Sequence, residues 1–173
     1  MQQNGRHLRL RGVAGQPGDH VALTETADGG SLADLFRRRY DEMVRVAFLL
    51  VGSNAIAEEL VQDAFVRVGK RWRWVREPDA YLRTSVVNAC RSWGRRRVRE
   101  VPLTTDLATI DPDVRELLDA LASLPNDQRA AIVLRFYCGM PDAAIAAVIG
   151  CKVATVRSHV HRGLRALREV IPR

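Results

Sequence analysis

From Ser31 onward, apolar residues recur at helical spacing through most of the chain. Leu32, Leu35, Phe36, Met43, Ala47, Phe48 and Val51 trace a first helix,. Ser31 with Asp34 is a capping-box-like start for it, and Gly52 is a plausible C′ stop,. Ser53 or Asn54 can cap a second helix carrying Ile56, Leu60, Ala64, Phe65 and Val68,. A basic, tryptophan-containing connection follows, "GKRWRWVREPDA", and Pro78 ends it. A third helix begins near Asp79, with Leu82, Val86, Ala89, Cys90 and Trp93 as its apolar stripe. Asp111-Pro112 starts a fourth, whose apolar face is Val114, Leu117, Leu118, Leu121 and Leu124,. Pro125 interrupts it. A helix over Asn126–Cys138, a short one over Pro141–Ile149 and a last one over Val153–Val170 complete the pattern, with Gly139 and Gly150 as stops. No strand pattern appears. The expectation is an all-α fold of two small helical domains: an extension over 1–30, a domain over 31–100, a flexible linker over 101–113 and a domain over 114–173.

Charge sharpens this division. The chain of 173 residues carries a net charge of +7. Residues 1–30 balance at zero, residues 31–100 hold +6, the linker holds three acids and no base, and residues 114–173 hold +4. Two basic blocks joined by an acidic connector suggest a polyanionic partner. Arg83 to Arg99 contains six arginines and no acid, which argues against an evenly solvated face. Residues 1–30 lack periodicity and read as a disordered extension. The three cysteines, Cys90, Cys138 and Cys151, form an odd set with no secretory segment before them, so a reducing cytoplasm is expected,. The longest apolar run, Val46–Gly52, is too short to span a bilayer, so membrane insertion is not expected,.

The stretch "IGCKVATVRSHVHRGLRALR" (Ile149–Arg168) offers three readings. It can be a solvated helix, a metal site or a helix that reads DNA. A short helix, a Gly and a second helix make a helix-turn-helix, and Gly150 suits the positive φ that a tight turn needs,. At about 100° per residue, Val160, Leu164 and Leu167 stay near Val156, while Ser158, His161, Arg162 and Arg165 gather opposite. Arg157 and Arg168 lie at one edge of that polar face and Thr155 at the other. One face can dock while the other offers donors to phosphates and base edges. Cys138, Cys151, His159 and His161 fit no zinc spacing, and the two histidines lie about 160° apart on the helix, so no metal is expected.

Upstream, "AEELVQDAFVRV" (Ala57–Val68) keeps Glu59, Gln62, Asp63 and Arg67 on a polar surface. Its carboxylates have no accompanying nucleophile or histidine, so an enzyme reading finds little support, and no cofactor is expected. Trp72, Trp74 and Trp93 are interleaved with Lys70, Arg71, Arg73, Arg76, Arg91 and Arg95–Arg97. Such a mixture suits unpaired DNA, since bases stack on aromatic faces while cations track phosphates. Core packing is the competing explanation. Trp93 lies on the apolar stripe; for Trp72 and Trp74 both explanations stand.

Three segments together carry a resemblance: "AEELVQDAFVRV…W", "YLRTSVVNACRSWGRRR" and "LPNDQRAAIVLRFYCGMPDAAIAAVIGCKVATVRSHVHRGLRALR". They resemble regions 2 and 4 of the bacterial extracytoplasmic-function (ECF) sigma factors, small members of the sigma-70 family, most of all the actinobacterial ones. The resemblance covers about residues 31–170. It implies a non-enzymatic RNA polymerase sigma factor that directs promoter recognition, promoter melting and transcription initiation. Its partners would be core RNA polymerase, through the β′ clamp coiled coil and the β subunit, promoter DNA and an anti-sigma factor. On this resemblance Glu59, Gln62, Asp63 and Phe65 bind core polymerase. Asn88, Arg91, Ser92, Arg95, Trp72 and Trp74 engage the −10 element, with a flipped base held near Trp72–Asp79. Thr155, Arg157, Ser158, His161, Arg162 and Arg165 contact the −35 element. Two positions depart from the family: Glu59 where Asp is usual, and Lys152 where Ser or Pro is common. The acidic linker resembles the segment that threads toward the RNA-exit channel. A self-sufficient helix-turn-helix repressor or activator is the rival reading; it leaves "AEELVQDAF" and the Trp/Arg segment without a role.

Overall fold

The structure, a computed structural model, describes residues 30–97 and 112–170. Seven α-helices follow in order among these residues: α1 Leu32–Val51, α2 Asn54–Arg71, α3 Pro78–Arg97, α4 Pro112–Ser123, α5 Asn126–Ile132, α6 Asp142–Ile149 and α7 Val153–Val170. A 3-10 turn, Trp72–Trp74, follows α2, and a π-helical stretch, Val133–Tyr137, follows α5. The extension and most of the linker lie outside the described residues. α4 already begins at Pro112, so the last two residues of the expected linker are helical.

Local chemistry sets the ends. The Ser31 hydroxyl accepts from the Asp34 backbone N–H at 3.1 Å, and the Asp34 carboxylate accepts from the Ser31 N–H at 3.1 Å, a reciprocal capping box,. The Ser31 hydroxyl also donates to that carboxylate, and this bond is the main reason the Asp34 carboxyl is held down to about 2. The group is ionised in the folded chain wherever it would be ionised unfolded. Its contribution is therefore complete above the ordinary carboxylate range and fades as pH falls through about 2,. Replacing Ser31 with alanine should cost about 1 kcal/mol and lower the melting temperature by about 2–4 °C, measured by thermal denaturation at neutral pH. An unchanged melting temperature would show that the box is dispensable. At the other ends of helices, Gly52 and Gly150 sit at φ 73° and 75°, a left-handed conformation that strains most side-chain-bearing residues and suits glycine,.

The core of the first half comes from Leu35, Met43 and Val46 of α1, Val61 and Val68 of α2, and Leu82 and Val86 of α3. In the second half Leu134, Ile145, Val156 and Val160 fill the same role. The two halves share one continuous apolar cluster: α3 packs on α5 and α6, and α1 on α4 and α5. Polar ties reinforce that junction. Arg129 of α5 donates through Nη1 to the Leu50 carbonyl near the end of α1 at 2.7 Å. Its Nη2 reaches the Ala122 and Leu124 carbonyls at 2.7 and 3.1 Å. Backbones also approach closely. A Cβ on Gly94 of α3 would come 2.8 Å from the Asn126 side chain, and one on Gly163 of α7 would come 3.0 Å from Ile132 Cγ1.

Two expectations change. The helix expected over Asn126–Cys138 widens at Val133, where the Cys138 N–H bonds to the Val133 carbonyl five residues back at 3.2 Å,. Leu134 stays fully buried there while Phe136 and Tyr137 face outward. Val114 and Leu117, expected on the α4 apolar face, are 42% exposed, because only the C-terminal half of α4 reaches the core.

Candidate nucleic-acid and polymerase interfaces

α6 and α7 meet at a bend of 97°, close to the right-angle crossing of a helix-turn-helix,. Gly150 makes the turn. The Lys152 carbonyl then accepts from the Thr155 and Val156 N–H groups at 2.9 and 3.1 Å, so Lys152 opens α7 with its backbone and leaves its side chain exposed. Val156 and Val160 are buried and Leu164 and Leu167 half-buried, as the angular reading predicts. Arg157, Ser158, His161, Arg162 and Arg165 are exposed, and Thr155 is half-buried at the edge. Several of these side chains rest on their own helix: Ser158 Oγ donates to the Ala154 carbonyl at 3.0 Å and Arg162 Nε to the Ser158 carbonyl at 3.3 Å. Arg165 lies 3.5 Å from Glu169. Arg157 is tied elsewhere: its Nε donates to Asp142 Oδ2 at the start of α6 at 3.1 Å. Cys151 packs on the core beside the turn, half-buried.

The second surface lies between α2 and α3. An open groove of about 1260 Å³ has Glu59, Asp63, Arg67 and Lys70 on one wall and Asn88, Ser92 and Arg96 on the other. Candidate polymerase-binding and DNA-binding residues therefore face the same space. A smaller hollow of about 560 Å³ is lined by Arg71, Trp74, Val75, Arg76, Glu77, Ala80, Tyr81 and Thr84. Tyr81 borders both, and Arg71 Nη1 bonds its hydroxyl at 3.3 Å. Trp74 is 80% exposed and shares this hollow with Arg71 and Arg76.

Three expected contact residues are placed differently. Phe65 is 6% exposed and packs against Phe36 and Tyr40, with centroids 4.9 and 6.3 Å away. It supports the α2 surface from beneath and has almost no surface to offer polymerase. Trp72 is 3% exposed, because the 3-10 turn rotates it inward and Trp74 outward; the alternative left open for Trp72 resolves to core. Arg91 does not face solvent. Its Nε and Nη2 hold Asp127 of α5 at 2.9 and 2.7 Å, and its Nη1 donates to the Ile149 carbonyl at 2.8 Å and to Asn88 Oδ1 at 3.1 Å. A guanidinium so engaged is closed to a phosphate in this arrangement. Arg95 is exposed and reaches Ser92 Oγ at 2.9 Å. Asp142, Asp127 and Arg129, which organise these surfaces, were not singled out from sequence. Each has a partner far along the chain, Arg157 for Asp142, Arg91 for Asp127 and the Leu50 carbonyl for Arg129, at 15, 36 and 79 residues, out of reach of any local pattern.

Comparison with known proteins adds an independent line. Residues 35–100 match the family "Sigma-70 region 2" and residues 114–167 the family "Sigma-70, region 4". The chain is 37% identical over 145 residues to the RNA polymerase sigma-E factor of Streptomyces avermitilis, covering 77% of this chain and 80% of that protein. It is 31% identical over 174 residues to the ECF RNA polymerase sigma factor SigE of Mycolicibacterium smegmatis, covering 89% of this chain and 64% of the relative. Among solved structures, the sigma factor RpoE of Bartonella quintana, crystallised with the anti-sigma factor NepR, superposes with a TM-score of 0.66 at 26% identity. That match covers 80% of this chain and 94% of the other.

Proposed function

The chain belongs to the extracytoplasmic-function sigma factors of the sigma-70 family, and from that premise we propose how its residues divide the work. Such a protein directs RNA polymerase to promoters and starts transcription. We read it as a non-enzymatic, cytoplasmic subunit, in keeping with relatives that are transcription regulators. Residues 31–100 form one functional domain and 114–173 the other, with the linker between them.

The observation that carries the assignment is the separation of faces on α7, with its apolar side docked and its donors outward. Thr155, Arg157, Ser158, His161, Arg162 and Arg165 read the −35 element in the major groove of intact duplex. Asn88, Ser92, Arg95 and Trp74 capture unpaired −10 DNA, with Trp74 as a stacking platform and the cations tracking phosphates. Glu59, Gln62 and Asp63, all exposed on α2, hold the polymerase clamp. Arg91 joins the −10 set only when α3 parts from α5 and α6, since one guanidinium cannot serve both. An anti-sigma factor is proposed as a further partner, because a similar structure holds one.

Sequencing the transcripts that core polymerase initiates with this protein on a promoter library tests the function and reads the promoter together. Arg162→Ala should reduce discrimination within the −35 element by about tenfold, the value of one good base contact. Undiminished discrimination would remove Arg162 from the reading face. Failure to initiate on any promoter would overturn the assignment.

A further inference from the structure

Asp142 stands in the first turn of α6, within hydrogen-bond reach of Arg157 on the reading face, with only 14% of its side chain exposed. A largely covered carboxylate needs partners, and both of its oxygens have one. Oδ2 accepts from Arg157 Nε at 3.1 Å, while Oδ1 lies 2.5 Å from Arg135 Nη2 as an ion pair without an aligned hydrogen bond. Arg135 is one-third exposed and belongs to the π-helical stretch, so three elements meet at this carboxylate. The group of two guanidiniums and one carboxylate keeps a net charge of +1, so Asp142 brings no net repulsion toward a phosphate backbone.

We propose that Asp142 is a specificity-positioning residue: it grips Arg157 by Nε and presents the outer edge of that guanidinium to one guanine of the duplex. The inference rests on the reading of α7 as the −35 helix. Arg157 is 72% exposed, and an untethered arginine there would sample many rotamers,. Guanidinium carries five N–H donors in a fixed planar fork. Engaging Nε leaves Nη1 and Nη2 free, and these can pair with guanine O6 and N7 at once. The tether thus uses one of the five donors, keeps the terminal pair free and restricts where that pair points,. Arg135 pairs with the other carboxylate oxygen, which favours keeping Asp142 at the turn. A like role for Arg162 is not built, because its Nε rests on a backbone carbonyl of its own helix.

The test uses holoenzyme reconstituted with wild-type protein, Arg157→Ala, Asp142→Asn, Asp142→Glu and the Arg157→Ala/Asp142→Asn pair, on promoters varied at every −35 base pair. Arg157→Ala should lose preference for guanine at one base pair by about 5- to 100-fold. Asp142→Asn should lose preference at that same pair by about 3- to 10-fold, leave preference at the other positions intact, and add nothing to Arg157→Ala. Asp142→Glu should restore part of it. Asp142 also favours the start of α6 through the helix dipole, so melting is measured in parallel. A uniform loss at all positions that tracks a lower melting temperature would reduce Asp142 to a helix-start residue and overturn the proposal. So would a gain in binding to every sequence, which would mean that Asp142 sequesters Arg157. If Arg157→Ala changes discrimination and Asp142→Asn does not, the proposal falls while the reading of α7 stands. If Arg157→Ala has no position-dependent effect, the assignment of Arg157 to the base-reading face fails first.

Discussion

Replacing Asn88 with alanine should leave the sigma factor bound to polymerase and slow promoter opening by about 10- to 100-fold, the value of one or two well-placed hydrogen bonds to a base. Asn88 is exposed on α3 between the buried Val87 and Ala89, so its side chain must project into the groove. Its Oδ1 is already turned toward Arg91, at 3.1 Å, which leaves its amide donors for a base edge,. Extruding a base costs a few kcal/mol, and a protein that captures it must return much of that through contacts of this kind. Alanine has the higher helix propensity, so α3 should be as stable or more so. The measurement pairs polymerase binding by fluorescence anisotropy with the rate of open-complex formation on one promoter. Equal loss in both assays would mean that Asn88 serves assembly and not DNA.

The largest effect on stability is expected at Arg129. Arg129→Ala should lower the unfolding free energy by about 2–4 kcal/mol and the melting temperature by roughly 5–15 °C. Three carbonyl oxygens lose their donor at once: Leu50 at the end of α1, and Ala122 and Leu124 at the end of α4. These are C-terminal carbonyls with no intrahelical partner, and a cation beside them also matches the helix dipoles. Burial pushes the guanidinium pKa down, a sign of the desolvation that its hydrogen bonds must offset. Arg129→Lys keeps the charge but loses the fork, and should fall between wild type and alanine. Urea denaturation at neutral pH measures the difference. A midpoint within experimental error of wild type would mean that water replaces the arginine without loss, and that apolar contacts alone hold the two halves together.

Sequence alone located most of the architecture, because helix ends here are written in local chemistry. The capping box at Ser31 and the glycines at 52 and 150 act within four residues of themselves, and α7 runs from Val153 to Val170 as its periodicity predicts. The sorting of α7 into a docked and a donor face followed from angle in the same way. Phe65 shows a signal that was present but outweighed by motif: it lies about 160° around α2 from Asp63, which places it on the opposite side. Trp72 and Trp74 could not be told apart by composition, since a single 3-10 turn decides which points inward. Arg91 and Arg129 were beyond any such reading. A basic residue awaiting a phosphate and one already bonded across a domain junction look identical until the partner, 36 or 79 residues distant, is in place.

The division of α7 into two faces also bears on how such a protein can diverge. Val156, Val160 and Gly163 hold the helix to its scaffold, while Arg157, Ser158, His161, Arg162 and Arg165 carry almost none of the core. Surface substitutions of this kind usually shift stability by less than about 0.5 kcal/mol. After a gene duplication, one copy can therefore change the promoters it serves through mutations that hardly touch its folding. Asp142 is where that freedom narrows, because a change there alters at once a carboxylate that ties α6 to Arg135 and the contact it makes with Arg157.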